Sequence, residues 1–443
     1  MKIGLIEAID PEDKLRKISI PTQLAYLAAY LSRAHPELEI VTCDDPDRFL
    51  AMKPDLVGIS SYTVNYPRAV KLGERIKDTL GVPVVVGGLH ITSVPESLAP
   101  CFDLGVLGEG EVAFLDVVEH WLGERNLGGE SVSGIPGLVV RRNGNVLKTA
   151  RREVLADLDD LPPPARHLYP LKNRTLMMFT SRGCPFRCTF CFTTNYWERY
   201  RTQSAGRIIE EIRQVRDSWP GFYTHIYFTD DLFIANKKRL HELAILFEKE
   251  GFPEKLSCTG LVRSDLINEE ICDDLKRMSF VTLSFGAETG SDRILQLMNK
   301  KATVEENQRA IDLCDRLGMK ITPFFIIGYP GETREDLDLT YEFIERNAEK
   351  FNGIEIYPAV ALPGTPLWQE VEERGLVSKD MDWERLKIGS DWLDSNRYIY
   401  LNEECMPRSE FFEYAERFRQ LYRRISRVHI EALEAVLRTR RER

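Results

Sequence analysis

The stretch Thr180–Phe192, TSRGCPFRCTFCF, sets Cys184, Cys188 and Cys191 on one short loop, three of the nine cysteines in 443 residues. Before it runs an apolar segment, Leu176–Phe179. After it comes Ser204–Trp219, SAGRIIEEIRQVRDSW, with apolar residues at helical spacing. Strand, loop and helix in that order form the unit of a parallel sheet. The unit recurs along the chain, with strands at His225–Asp231, Leu256–Arg263, Phe280–Glu288, Ile321–Glu332 and Gly353–Val360 and amphipathic helices between them. Six such strands predict a partial (β/α)6 barrel over residues 173–370, with its chemistry at the carboxyl ends of the strands.

Upstream, KIGLIEA (Lys2–Ala8), LEIVTC (Leu38–Cys43), DLVGISS (Asp55–Ser61) and VPVVVGG (Val82–Gly88) alternate with the helical Thr22–Ala34 and Tyr66–Leu80. Their apolar runs are too continuous for a one-sided sheet, so residues 1–145 predict a Rossmann-like α/β domain covered on both faces. Proline-rich LDDLPPPARHLYP, Leu158–Pro170, has the composition of a linker, set at 146–172. Residues 371–443 form a helical C-terminal segment expected to help cap the barrel, with Phe411, Phe412, Ala415, Phe418, Tyr422 and Ile425 near helical spacing. Aromatic-rich DWLDSNRYIYL, Asp391–Leu401, is the expected seat of substrate recognition.

Bulk properties exclude several classes. With 59 basic against 69 acidic side chains the net charge is -10, which predicts no broad footprint for nucleic acid. No apolar run reaches the roughly 18 residues of a membrane span, and Met1 leads straight into a strand rather than a cleavable leader. A cytoplasmic protein is expected. The other cysteines, at 43, 101, 258, 272, 314 and 405, lack the spacing of a disulfide framework.

Three thiolates on one loop can hold a metal centre. Structural zinc would need a fourth ligand, and His167 and His225 lie in separate elements. A cuboidal iron-sulfur cluster with three protein ligands leaves one iron open. Zinc in a non-catalytic sensor and a cluster in an enzyme both remain open on the cysteines alone.

Cys184, Cys188 and Cys191, with Phe190 before the last, follow the CxxxCxxC pattern, and here the chain resembles the radical S-adenosylmethionine (SAM) enzymes. The resemblance implies that a 4Fe-4S cluster binds SAM at its open iron and that reductive cleavage gives a 5'-deoxyadenosyl radical. It implies further that Asp230 and Asp231 orient the SAM amine or a substrate hydroxyl, and that Glu288 meets the SAM ribose or amino group. Gly328 and Gly331 would pack beside adenine, and Arg263 would meet a carboxylate. Each has a plainer alternative: helix caps for the aspartates, an ion pair for Arg263, core for Phe190.

Glycine-bearing turns also end the strands of the first domain, at Gly87–Gly88 and in Phe102–Glu111, FDLGVLGEGE. Their order ahead of the cysteine loop resembles the cobalamin-binding subclass of radical SAM enzymes. The resemblance implies cobalamin lined by Ser60, Ser61, Thr63, Gly87, Gly88, Gly108, Glu109, Gly110 and Glu111. No DxHxxG motif supplies a lower cobalt ligand; His90 is a conceivable neighbour, with a structural hydrogen-bonding role as the alternative. The implied reaction is methylation of an unactivated carbon or phosphorus centre of a small molecule or natural-product precursor. Cyclisation, ring contraction or rearrangement without methyl transfer is the alternative within the subclass. A reducing partner such as flavodoxin or ferredoxin is implied as well.

Overall fold

The computed structural model describes residues 1–9, 19–128, 131–387 and 397–441. Two compact units divide the chain. One comprises Met1–Asn173, Asn195–Thr202 and Leu362–Leu386; the other comprises Arg174–Thr194, Gln203–Ala361 and Lys387–Arg443.

In the first unit, strands β1 (Lys2–Glu7), β2 (Glu39–Thr42), β3 (Leu56–Ser60), β4 (Val84–Gly87) and β5 (Leu104–Val106) alternate with helices α1 (Thr22–Ala34), α2 (Pro46–Ala51), α3 (Tyr66–Leu80), α4 (Leu89–Ser93) and α5 (Gly110–Glu124). The sheet order is β2-β1-β3-β4-β5, all parallel. Ile3, Leu5, Leu56, Val85 and Leu104 share a core with Leu24 and Leu31 of α1 and Phe114 and Val117 of α5.

Two antiparallel strands extend the sheet, β6 (Leu138–Arg142) and β7 (Asn145–Lys148). Asn143 and Gly144 join them, both with positive φ (50° and 80°), the turn that the twist of a two-residue hairpin favours. The stretch expected as a linker lies against this unit: Leu158, Leu161, Ala165 and Tyr169 are buried, and the Ala165 N–H donates to the Ala25 carbonyl at 2.9 Å. Its prolines stiffen it, but its apolar residues keep it on the surface of the unit. Residues 362–386, expected with the barrel and its cap, also group here.

The second unit holds six parallel strands: β8 (Thr175–Met178), β9 (His225–Phe228), β10 (Ser257–Val262), β11 (Phe280–Glu288), β12 (Lys320–Ile327) and β13 (Glu355–Pro358). They lie side by side in chain order. Between them run α6 (Ala205–Ser218), α7 (Lys237–Lys249), α8 (Glu269–Arg277), α9 (Asp292–Leu297), α10 (Val304–Arg316) and α11 (Arg334–Asn347). Each of these six starts at a Ser, Asn or Thr whose side chain accepts a first-turn N–H, which satisfies a donor that the helix leaves unpaired.

The final helix, α12 (Arg408–Arg441), buries Phe411, Ala415, Phe418, Leu421 and Ile425. Leu421 replaces the expected Tyr422 on this face; Tyr422 is 37% exposed. Asp391–Asn396 of the aromatic stretch lie outside the described residues. Among the described residues no helix is long and apolar enough to cross a membrane.

The end of β11 is strapped to α11. The Thr340 hydroxyl accepts the Gly290 N–H at 2.9 Å and meets the Thr289 hydroxyl at 2.9 Å, while the Ser291 hydroxyl donates to Asp336 at 2.6 Å. Gly290 permits this closeness: a β-carbon there would stand 2.5 Å from the Leu339 carbonyl oxygen and 2.7 Å from the Thr340 Cα. Gly290→Ala is expected to cost about 1–3 kcal/mol, because backbone must shift rather than a flexible side chain. Denaturant unfolding checks it; wild-type stability would contradict the close approach.

Candidate active site

The cysteine loop leaves the carboxyl end of β8. Its root is fixed by a buried carboxylate. Asp230 accepts the Thr180 N–H and hydroxyl, both at 2.8 Å, and the Ser181 hydroxyl at 2.6 Å. Arg239 donates to the Thr180 carbonyl at 2.8 Å and to the Phe233 carbonyl at 2.8 Å. Burial pushes the Asp230 carboxyl upward, opposed by the Arg239 cation and these hydroxyls. Asp230 is fully buried, with its oxygens committed to the loop root. The expectation that it orients a ligand is therefore corrected to a supporting role. Asp231, next in the chain, is exposed and accepts the Thr193 hydroxyl at 2.9 Å.

Cys188 is buried, and Cys184 and Cys191 are half-buried. Burial raises all three thiols, Cys184 to about 11; Cys184 feels the charges of Cys191 and Cys188, and Cys191 feels that of Cys188. They thus share one neighbourhood. Among the described residues, no three His, Cys, Asp or Glu side chains close around a point as the ligands of one ion. A single tetrahedral ion would require that closure; a cuboidal cluster, in which each thiolate binds its own iron, does not. The donor set of three sulfurs within a largely buried loop fits such a cluster.

Arg263, at the end of β10, lies over this loop. Its guanidinium stands 3.6 Å above the Phe186 ring centre and 3.9 Å from the Cys188 sulfur, and it makes two bonds to Asp265, at 2.9 and 3.1 Å. Phe186, rather than the half-buried Phe190, is the aromatic it meets. Glu288, at the end of β11, has φ 64° and accepts from Lys300 Nζ at 2.6 Å, with both side chains almost wholly buried. Gly286 makes room for it, since a β-carbon there would fall 1.9 Å from the Glu288 carboxylate.

Gly328 and Gly331 bracket the turn after β12 with φ 76° and 85°. The Gly328 N–H donates to Glu332 at 2.5 Å and the Gly331 N–H to Asn402 at 2.8 Å. Phe411 approaches Gly328 so closely that a β-carbon would stand 2.7 Å from its ring. Sequence reasoning missed Phe186, Asp265, Lys300 and Glu332. Of these only Glu332 carried a signal, as the acid that ends the turn GYPGE.

In the first unit the expected residues cluster at the carboxyl edges of the adjacent β3, β4 and β5. Ser60 ends β3; Ser61 and Thr63 are buried, and the Ser61 hydroxyl has no hydrogen-bond partner. Gly87 ends β4, and Gly88, φ 104°, passes so near Ser61 that a β-carbon would stand 2.2 Å from its carbonyl oxygen. Gly108 and Gly110 have open space where side chains would stand. A cavity of about 240 Å³ adjoins this turn, lined by Thr92, Gly108, Glu109, Glu111 and Tyr196 among others. Glu109 itself forms a buried ion pair with Arg201, and Glu111 is buried at the start of α5. An orphaned hydroxyl and uncovered glycines at a parallel-sheet edge suit a large cofactor.

His90 does not serve it. The imidazole is fully buried, shares a 2.9 Å hydrogen bond with the Ser97 hydroxyl, and lies 4.0 Å from the Tyr66 ring and 4.8 Å from Trp383. Burial lowers its pKa to about 3. The conceivable cobalt neighbour is corrected to a packed, neutral core residue.

Comparison with known proteins agrees with both halves of this geometry. Residues 178–344 match the model of the radical SAM superfamily, and residues 13–118 match that of the B12 binding domain. An uncharacterized methyltransferase of Pyrococcus horikoshii is 31% identical over 385 residues, covering 82% of this chain and 81% of its own. The chain belongs to the cobalamin-binding radical SAM family. The cofactors of this family are SAM, a 4Fe-4S cluster and cobalamin. Cytidylyl-2-hydroxyethylphosphonate methyltransferase of Streptomyces wedmorensis is 28% identical over 439 residues, 83% of this chain and 80% of that one. Among solved structures, the radical SAM methyltransferase TsrM of Kitasatospora setae, with cobalamin and a 4Fe-4S cluster bound, superposes with a TM-score of 0.70. It covers 84% of this chain and 75% of its own at 18% identity, a likeness of fold.

Within this radical SAM unit, Glu332 is a second buried acid whose carboxyl is pushed upward. It is fully buried, one oxygen has no partner, and burial pushes its carboxyl up to about 8, with Asp336 adding to the shift. The folded state therefore holds a proton that the unfolded chain releases near pH 4.5. This favourable term is complete below about pH 4.5 and fades as pH rises to about 8. Glu332→Gln, always neutral, is expected to gain on wild type between pH 5 and 8 by on the order of 2 kcal/mol. Unfolding at both pH values checks this; an equal difference at each would contradict it.

Proposed function

We propose that this chain transfers a methyl group from SAM to an unactivated carbon or phosphorus centre of a small molecule or natural-product precursor. The observation that carries the reading is a loop of three thiols with no fourth donor among the described residues, in the same chain as a B12-binding fold. Relatives named as methyltransferases across four-fifths of this chain support it. When bound, the cluster supplies the electron that cleaves SAM to a carbon radical, and cobalamin supplies a carrier for the methyl group.

In this reading Cys184, Cys188 and Cys191 hold the irons, and burial around them excludes water and oxidants. Asp230 and Arg239 keep the loop root in place. Glu288 orients SAM, and the Gly328–Gly331 turn offers it backbone. Ser61, Gly88, Gly108 and Gly110 would line cobalamin, and His90, packed between Tyr66 and Trp383, would stay out of that lining. Flavodoxin or ferredoxin delivers electrons in the cytoplasm.

Anaerobic reconstitution tests the reading. About four irons per chain are expected, lost on changing Cys184, Cys188 or Cys191 to Ala. Each turnover is expected to yield one methylated product, one S-adenosylhomocysteine and one 5'-deoxyadenosine. Deoxyadenosine without methylated product would exclude methyl transfer and leave cyclisation or rearrangement. A colourless protein that binds zinc would exclude both.

A further inference from the structure

Between α9 and α10 the chain makes a tight turn, Met298–Lys301, with the sequence MNKK. Asn299 and Lys301 both stand in the left-handed region, at φ 50° and 56°. Side chains rarely adopt this conformation, and neither position uses glycine. The strain needs a compensating reason, and the hydrogen bonds of the turn supply one.

The Thr189 N–H donates to the Met298 carbonyl at 3.0 Å, and Asn299 Nδ2 donates to the Arg187 carbonyl at 2.6 Å. The residues immediately before and after Cys188 are therefore both tied to this turn. From its other side the Lys300 carbonyl accepts Arg263 Nη2 at 2.6 Å, while Lys300 Nζ donates to Glu288. One turn thus contacts the cysteine loop, the cation beside Cys188 and the acid at the end of β11. A contribution to stability alone explains the Glu288–Lys300 pair poorly, because desolvating two charges offsets most of their attraction. A need to fix the direction of the carboxylate explains it better.

We propose that Met298–Lys301 is a positioning clamp for the radical SAM site, in which Asn299 holds the cysteine loop and Lys300 aims Glu288 at SAM. The proposal rests on the reading that Cys184, Cys188 and Cys191 carry the cluster. Neither Asn299 nor Lys300 touches the reacting atoms. Each acts through a residue that meets a cofactor: Asn299 through the backbone before Cys188, and Lys300 chiefly through Glu288. That division yields a crossed pattern which a merely structural role would not produce.

The test uses the full reconstituted chain with four variants. Asn299→Asp removes the N–H donor at constant shape, and Asn299→Gly removes the carboxamide where the backbone favours glycine. Lys300→Met removes the charge, and Lys300→Arg restores it. Release of iron to a chelator is timed, SAM affinity is measured by equilibrium dialysis, and the change in the electron paramagnetic spectrum on adding SAM is recorded.

Both Asn299 variants are expected to lose iron about tenfold faster than wild type. Lys300→Met is expected to retain iron normally but bind SAM about tenfold more weakly with a diminished spectral change, and Lys300→Arg to recover most of the affinity. If Lys300→Met does not fold, Lys300→Leu, which likewise offers no donor to Glu288, is read by the same criterion. Wild-type iron release in both Asn299 variants, or wild-type SAM binding in the Lys300 variant that folds, overturns the clamp. If wild type itself takes up no cluster, the functional reading fails first, so the two failures are told apart.

Discussion

A parallel sheet sends the carboxyl end of every strand to one edge, and both units of this chain are built on that constraint. In the second unit it brings the cysteine loop after β8, Arg263 after β10, Glu288 at the end of β11 and the Gly328–Gly331 turn after β12 to the same side. Residues more than a hundred positions apart thereby become neighbours with no need for long loops. The first unit uses the same geometry with hydroxyls and glycines in place of thiols and charges. An antiparallel arrangement would divide these groups between two edges.

The cost of gathering them is visible where they meet. Among the described residues, eight non-glycine residues have positive φ, and three of them, Glu288, Asn299 and Lys301, stand within one short stretch beside Cys188. Each such residue costs on the order of 1–2 kcal/mol. The same edge carries the buried Asp230, Glu288, Lys300 and Glu332, none of which contributes hydrophobic stability. What offsets them is the core of the unit, where Phe228, Phe233, Phe247, Phe285, Phe325, Phe343, Phe411 and Phe418 are buried, Phe411 against Gly328 itself. An aromatic core supports a polar, strained rim.

Strand and helix periodicity made the two α/β series legible, because the inner strands of the first unit are nearly continuous apolar runs and α6–α11 of the second each open on a capping residue. The cysteine spacing and the glycine turns were legible for the same reason: their chemistry is local. What was not legible is pairing at a distance. Lys300 reads as one more surface lysine in MNKK until the fold brings Glu288 to it, and Asp230 reads as a ligand until Thr180 and Ser181 are seen to occupy it. His90 reads as an available imidazole until Tyr66 and Trp383 close around it. The β6–β7 hairpin is different, since Asn143–Gly144 between apolar runs was a local signal. A reading in βα units leaves no place for an antiparallel pair.

Arg263 shows how far geometry revises an expectation drawn from residue type. A guanidinium has five N–H donors, and a terminal arginine in a site suggests a two-pronged grip on a carboxylate. Here Nε and Nη2 are spent on Asp265 and the Lys300 carbonyl, and Nη1 turns toward the Cys188 sulfur. One N–H remains, so an arriving carboxylate would find a single bond rather than a fork. Asp265 also neutralises much of the charge that would attract it. The stronger consequence of this arginine is therefore electrostatic and directed at sulfur. Stacked on Phe186 and held by Asp265, it keeps a positive end against Cys188, where with Lys300 it offsets the cost of burying thiolate charge.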